Sequence, residues 1–192
     1  MIAYTKISIL ILMTIIMVKK KLDSNIIRYS ELSLIDDGIK YKFNKKIAKY
    51  ELLFRASRDG FAASNFHSKC DGKSYTVTFV ETSIGRRFGG FTDQSWDQSS
   101  GHKTGSNGFI FSLDIKEIYY NKNSTYNIYC NSGYGPTFGG GNDFYLCNNC
   151  NKEYSSYNNS DHSYQTNGKK CAMAGTYNFF VKDYEVYQIS LE

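Results

Sequence analysis

Proline is nearly absent: the 192-residue chain holds one, Pro136. That excludes a proline-rich linker cutting the chain into separate units. Histidine is limited to three residues and tryptophan to Trp96, so sites that need several imidazoles have few candidates. No Walker loop of the form Gly-x-x-x-x-Gly-Lys-Ser/Thr occurs, so a P-loop nucleotide site is excluded. Long apolar runs are missing as well. The longest, Ile7 to Val18, is interrupted only by Ser8 and Thr14. Its 12 residues fall short of the about 20 that a membrane span needs.

That run is followed at once by Lys19-Lys20-Lys21, with no small-x-small cleavage site. It reads as a leader, residues 1–23, that is not needed for folding, with translation starting at Met17 as one form of this. An uncleaved anchor with the lysines on the cytosolic side, and a cleaved signal, stand as alternatives. A single domain from 24 to 192 follows, long enough to bury a proper core. Its expected location is cytoplasmic, with membrane contact only through residues 7–21.

Charge of one sign is also lacking where it would matter. The chain carries a formal net charge of +5, but through Tyr50 there are ten basic and four acidic residues. The remaining 142 residues carry thirteen basic and fourteen acidic groups. A near-neutral domain argues against nucleic acid as partner. Five cysteines, an odd number, do not suit a secreted disulfide scaffold, and reduced thiols are the expectation. Asn123-Ser124-Thr125 and Asn158-Asn159-Ser160 fit the glycosylation pattern, which matters only in the secretory pathway.

What is present is aromatic and strand-like. Aromatics make up 16% of the chain and include 17 tyrosines, which suits a strand-rich interior with polar rims. In the stretch from Glu51 to Gly72, Leu52, Phe54 and Ala56 alternate with Leu53, Arg55 and Ser57, a strand pattern. Asp59-Gly60 supplies a turn, and Asp59 is placed to cap a helix from Phe61 to Cys70. Gly72 stands where a helix exit often needs a left-handed residue. Tyr75, Val77 and Phe79 alternate with Thr76, Thr78 and Val80, predicting a half-buried strand. Gly89-Gly90, between Phe88 and Phe91, would weaken a strand unless a backbone or ring lies close above them. Further strands are expected at Phe109–Leu113, Glu117–Tyr120, Tyr126–Cys130, Phe144–Leu146, Ala172–Tyr177 and Tyr184–Leu191. Asp93 to Asn107 and Gly133 to Asp143 are expected as loops, and Cys147 to Lys170 as a polar excursion. The fold class is α+β, mainly β: a two-sheet antiparallel β-sandwich with a few short peripheral helices.

Candidate chemistry is thin. Gly133-x-Gly135-x-x-x-Gly139 approaches a dinucleotide fingerprint, but Pro136 and a following strand deny it the helix N-terminus that would face a pyrophosphate. Cys147-x-x-Cys150 has the spacing of half a zinc site and lacks a matching half, so no metal is expected. His67 and Cys70 lie three residues apart on the short helix. Cys70 falls on its apolar side, which suits a buried thiol better than a nucleophile. Arg55, Arg58 and Asp59 could hold a buried ion pair that fixes the opening turn. No cofactor is expected.

The run Leu53-Phe54-Arg55-Ala56-Ser57-Arg58-Asp59-Gly60-Phe61, with Phe66-His67, Cys70-Asp71-Gly72 and Thr76, resembles the opening of a TLDc domain. Three later blocks agree in order: Phe88-Gly89-Gly90-Phe91 with Trp96, Phe109 to Leu113, and Gly135-Pro136-Thr137-Phe138-Gly139. The close agrees as well, with Ala174-Gly175, Phe179 and Glu185-Val186-Tyr187. The resemblance covers residues 26–192. It implies a β-sandwich in which Arg55, Arg58, Asp59, Gly60, Gly89, Gly90, Gly135, Pro136, Phe138, Gly139 and Glu185 are fold signatures. It further implies a eukaryotic, non-enzymatic interaction domain that binds and regulates a vacuolar-type proton ATPase and is linked to protection from oxidative damage. A thiol-based antioxidant enzyme using Cys70 or the Cys147/Cys150 pair, and a structural component of a larger assembly, are the alternatives. A monomer is expected. Trp96 in its loop, and Tyr154, Tyr157 and Tyr164 in the tyrosine-rich excursion, are the candidate anchors for a protein partner, with a core role for Trp96 as its alternative.

Overall fold

Short alternating strands can each bury only one face, so their sheets must meet another layer. The computed structural model shows how, for residues 22–122 and 126–192, which are the residues it describes. The apolar run Ile7 to Val18 and the triplet Asn123-Ser124-Thr125 lie outside the described residues. The first sheet has six strands in the order β1 (Ile47–Arg55), β12 (Val181–Leu191), β2 (Thr76–Thr82), β3 (Arg87–Thr92), β5 (Phe109–Ser112), β6 (Glu117–Tyr120). The second runs β11 (Asn178–Phe179), β10 (Ser156–Asn158), β9 (Phe144–Cys147), β8 (Tyr134–Phe138), β7 (Ile128–Cys130), β4 (Gly101–Lys103). Neighbouring strands within both sheets pair antiparallel. Helices are few and short: α1 (Leu32–Phe43), entered through a 3-10 turn at Tyr29–Glu31, α2 (Ala56–Asp59) and α3 (Ala63–Cys70). The fold is a mainly β, two-sheet antiparallel sandwich with peripheral helices.

Between the sheets lies one apolar cluster, in which Val80, Phe88 and Ile110 of the first sheet meet Ile128, Phe138, Phe144 and Leu146 of the second. Phe88 packs edge-on against Phe144 at 5.3 Å and Phe179 at 5.6 Å, between ring centres. A second cluster covers the outer face of the first sheet, where Val77, Phe79, Phe91, Phe109 and Phe111 meet Ile26, Ile27, Leu32, Ile35 and Ile39. The amphipathic helix α1 and the segment before it therefore form a third layer. This corrects the half-buried expectation for β2, which is covered on both faces: Val77 and Phe79 face α1 and Val80 faces the other sheet. Arg87 on β3 pins this layer, donating from Nη1 and Nη2 to the Glu31 carboxylate at 2.8 and 2.7 Å.

Local departures from the sequence pattern have identifiable causes. A bulge between Leu52 and Phe54 in β1 breaks the expected shared face. Leu52 packs on the outer cluster while Leu53 and Phe54 enter the inner one, as a bulge re-aims the side chains that follow it. Tyr134 to Phe138 is a strand rather than a loop, with Pro136 inside the irregular stretch of its pairing with β9, where a missing N–H costs no ladder bond. The Asp93–Asn107 loop contains the short strand β4 and the polar excursion contains β10. Ala172 to Tyr177 forms turns, and only Asn178 and Phe179 pair as a strand.

Candidate functional site

The opening unit is built as a brace. Arg55 ends β1 and donates from Nε to Glu185 Oε1 at 2.7 Å. Glu185 is fully buried on β12 and also accepts from the Asn25 backbone N–H at 2.9 Å and from Ser24 Oγ. The buried ion pair of this turn is therefore Arg55–Glu185. Asp59 pairs instead with its neighbour Arg58 at 2.7 Å, partly exposed, and accepts from the Arg55 backbone N–H at 3.0 Å. Asp59 does not cap the next helix. The Ala63 N–H is met by Asn148 Oδ1 at 2.9 Å, because Gly60, at φ 105°, turns the chain away. Helix α3 starts at Ala63, two residues later than the pattern suggests, and Gly72 takes the left-handed conformation expected of it, φ 75°.

His67 and Cys70 do not form a nucleophile pair. His67 Nδ1 lies 2.7 Å from Asp71 Oδ1 at the end of α3, and Nε2 lies 2.9 Å from the Asn131 carbonyl, so both ring nitrogens are committed and Nε2 ties α3 to the turn before β8. Cys70 is fully buried. Burial pushes its thiol far above the usual value, and the nearby carboxylates of Asp71 and Asp59 add to this, with Lys73 opposing. Burial also pushes the Cys130 thiol up to about 11, and the Cys150 thiol higher still with the help of Cys147. Cys147 and Cys150 are buried free thiols, and Cys147 Sγ accepts from Ser156 Oγ at 3.3 Å. Among the described residues, no group of three or more His, Cys, Asp and Glu side chains is placed to hold a metal ion.

The glycine-rich stretch serves packing. Gly139 has φ 85°, and a Cβ there would lie 2.0 Å from Asp143 Oδ2. The buried Asp143 carboxylate accepts from the backbone N–H groups of His162, Ser163 and Tyr164 at 2.9 to 3.2 Å, fastening the excursion onto the β8–β9 turn. Burial raises the Asp143 carboxyl above the usual range, and those three donors oppose the rise.

Two of the four candidate anchors are core residues. Trp96 is 1% exposed, donates from Nε1 to Thr76 Oγ1 at 2.8 Å and packs edge-on to Phe66 and Phe138. Tyr164 is fully buried, with its hydroxyl donating to the Asn127 carbonyl at 2.7 Å. Neither ring can reach a partner, because the loops that carry them fold inward to satisfy these polar groups. Tyr154 is exposed beside Phe180, at 4.9 Å between ring centres. Tyr157 lies half-buried on the outer face of the second sheet, and there it has company.

In β7, β9 and β10 the residues on either side of Tyr129, Tyr145 and Tyr157 are buried, so those three rings point outward. Register then aligns them across the strands: His102 pairs with Tyr129 and Tyr145 with Tyr157. Ring centres follow in steps of 4.8 Å (His102–Tyr129), 5.8 Å (Tyr129–Tyr134), 4.5 Å (Tyr134–Tyr145), 5.2 Å (Tyr145–Tyr157) and 5.5 Å (Tyr157–Tyr177). The last two rings are stacked, and the others are tilted by 50 to 62°. The sequence does not join these rings into a unit: only Ile128-Tyr129-Cys130 and Phe144-Tyr145-Leu146, as apolar-Tyr-apolar triplets, hint at outward tyrosines.

Two stacked antiparallel sheets, braced by a buried arginine–glutamate pair and overlaid by one helix, define a β-sandwich domain whose open surface is the aromatic side of the second sheet. The model of the TLDc domain matches residues 20–190, and the chain belongs to that family. No match was found among curated proteins.

Proposed function

We propose that this TLDc domain is a non-enzymatic protein-interaction module. Its partner is the soluble, catalytic sector of a vacuolar-type proton ATPase, and its contribution is to protection from oxidative damage. The observation that carries the reading is family membership across nearly the whole chain. Burial of the thiols supports it, because the thiolate is the reacting species of an antioxidant cysteine and burial holds Cys70, Cys130 and Cys150 protonated. The domain acts as a monomer in the cytoplasm. No helix among the described residues is long and apolar enough to cross a membrane.

Affinity purification of the full-length protein from its native cells tests the partner. ATPase subunits should co-purify, and their absence removes this partner. Recovery of cytoskeletal proteins instead favours a structural component of a larger assembly. Peroxide consumption that disappears in Cys70→Ser would restore the enzyme reading.

A further inference from the structure

We infer that the tyrosine ladder on the outer face of the second sheet docks an uncharged, proline-rich segment of a partner protein in the polyproline II conformation. The inference rests on the protein-interaction reading above, but not on which partner that is.

Charge is the first argument. Across β4, β7, β8, β9 and β10 the only charged residue is Lys103, and it is held by Asp97. Nucleic acids and anionic bilayers are bound by arrays of Lys and Arg, which this face lacks. Size is the second. Five steps between neighbouring strands make a strip about 24 Å long, at about 4.8 Å per step, and one ring wide. That is well short of the about 800 Å² per partner of a standard protein interface, so a second copy of this chain would find too little to bury. A polyproline II segment rises about 3.1 Å per residue, so about eight residues cover the strip.

Shape and hydrogen bonding are the third argument. Rings whose centres lie 4.5 to 5.8 Å apart pack against one another into a continuous aromatic surface, on which pyrrolidine rings can lie. Tyr157 and Tyr177 cover each other's faces, at an interplanar angle of 4°, so they are not open platforms for a sugar ring. A polyproline II backbone has no internal hydrogen bonds, and its carbonyls need donors. Phenol hydroxyls supply them. Asn142 Nδ2 donates to the Tyr157 hydroxyl oxygen at 2.7 Å, which leaves that O–H free to donate outward. Each ring is already held by its neighbours and the segment is already extended, so little conformational freedom is lost on docking.

Titration of the full-length protein with decaproline, followed by calorimetry, tests the proposal. Saturable one-to-one binding is expected. Its affinity should change less than about twofold between about 50 and about 500 mM salt, since no ion pair is made. Tyr177→Ala, at a ring 50% exposed, and Tyr145→Ala should each weaken binding about tenfold, the scale of an aromatic anchor. Tyr29→Ala, at a ring 60% exposed outside this sheet, should leave it unchanged. Thermal melts establish that each variant is folded. Absence of saturation at millimolar decaproline overturns the proposal, as do equal binding of a Gly-Ser peptide or full affinity in folded Tyr177→Ala. Decaproline binding without recovery of ATPase subunits leaves this face standing and removes only the partner named above. ATPase recovery without decaproline binding does the reverse.

Discussion

At the scale of single residues, the carboxylate of Glu185 ties together three segments far apart in sequence: the Ser24–Asn25 entry, the end of β1 and β12 itself. A charge with no exposed surface is tolerable only when it is paired and hydrogen-bonded. Arg55 balances it, with its own side chain 12% exposed. Arg55→Met would leave the charge of Glu185 buried and uncompensated, and breaking such a pair from one side costs about 3–5 kcal/mol. Chemical denaturation should show a lower midpoint with an unchanged slope. Adding Glu185→Gln to Arg55→Met should recover part of the loss, since the unpaired charge is then gone. If Arg55→Met unfolds at the wild-type midpoint, the pair is not what braces the opening turn.

At the scale of elements, β3 is a strand whose centre is two glycines held flat between layers. A Cβ on Gly89 would lie 1.9 Å from the Thr78 carbonyl oxygen of β2 and 2.6 Å from the Phe111 ring. A Cβ on Gly90 would meet the Phe138 ring at 2.6 Å. The two contacts differ in kind, since a backbone carbonyl inside a ladder cannot move aside and a ring can turn. Gly90→Ala should therefore cost about 1–3 kcal/mol, the usual scale of overpacking, and Gly89→Ala more than that or the fold itself. Thermal unfolding of the two variants checks the order. A Gly89→Ala protein as stable as Gly90→Ala would mean that β2 and β3 can part at this point.

At the scale of the whole molecule, the sandwich has two outer faces and treats them differently. Helix α1 and the Ile26–Ile27 segment bury the aromatic outer side of the first sheet, and the outer side of the second stays open as the tyrosine ladder. A chain beginning at Ile47 would uncover Phe79, Phe91, Phe109 and Phe111 together, a contiguous apolar patch of the kind that drives association. Such a chain is expected to aggregate on expression, whereas one beginning at Leu22 should stay dispersed. Light scattering distinguishes the two. Leu22 packs on the outer cluster and the Asp23 carbonyl accepts from Tyr187, so the residues just before Ser24 contribute to the fold.

By itself, the sequence determined the features that depend on neighbours along the chain. Alternation marked β2, short apolar and aromatic runs marked β5, β6 and β9, the Asp59-Gly60 and Gly72 turns framed α3, and Gly89-Gly90 announced a ring or backbone overhead, which the Phe111 and Phe138 rings and the Thr78 carbonyl supply. Only the tertiary structure decided the features that depend on what lies across from a residue. Tyr164 reads as a surface anchor and Trp96 as either anchor or core, and only the contacts of their polar atoms with Asn127 and Thr76 place both inside. Arg55 found Glu185, 130 positions away, rather than the nearby Asp59. Five tyrosines scattered between Tyr129 and Tyr177 became one surface through strand register. The reason is physical: backbone geometry sets which side chains alternate within a few residues, but which face is covered, and by what, is settled only when distant segments dock.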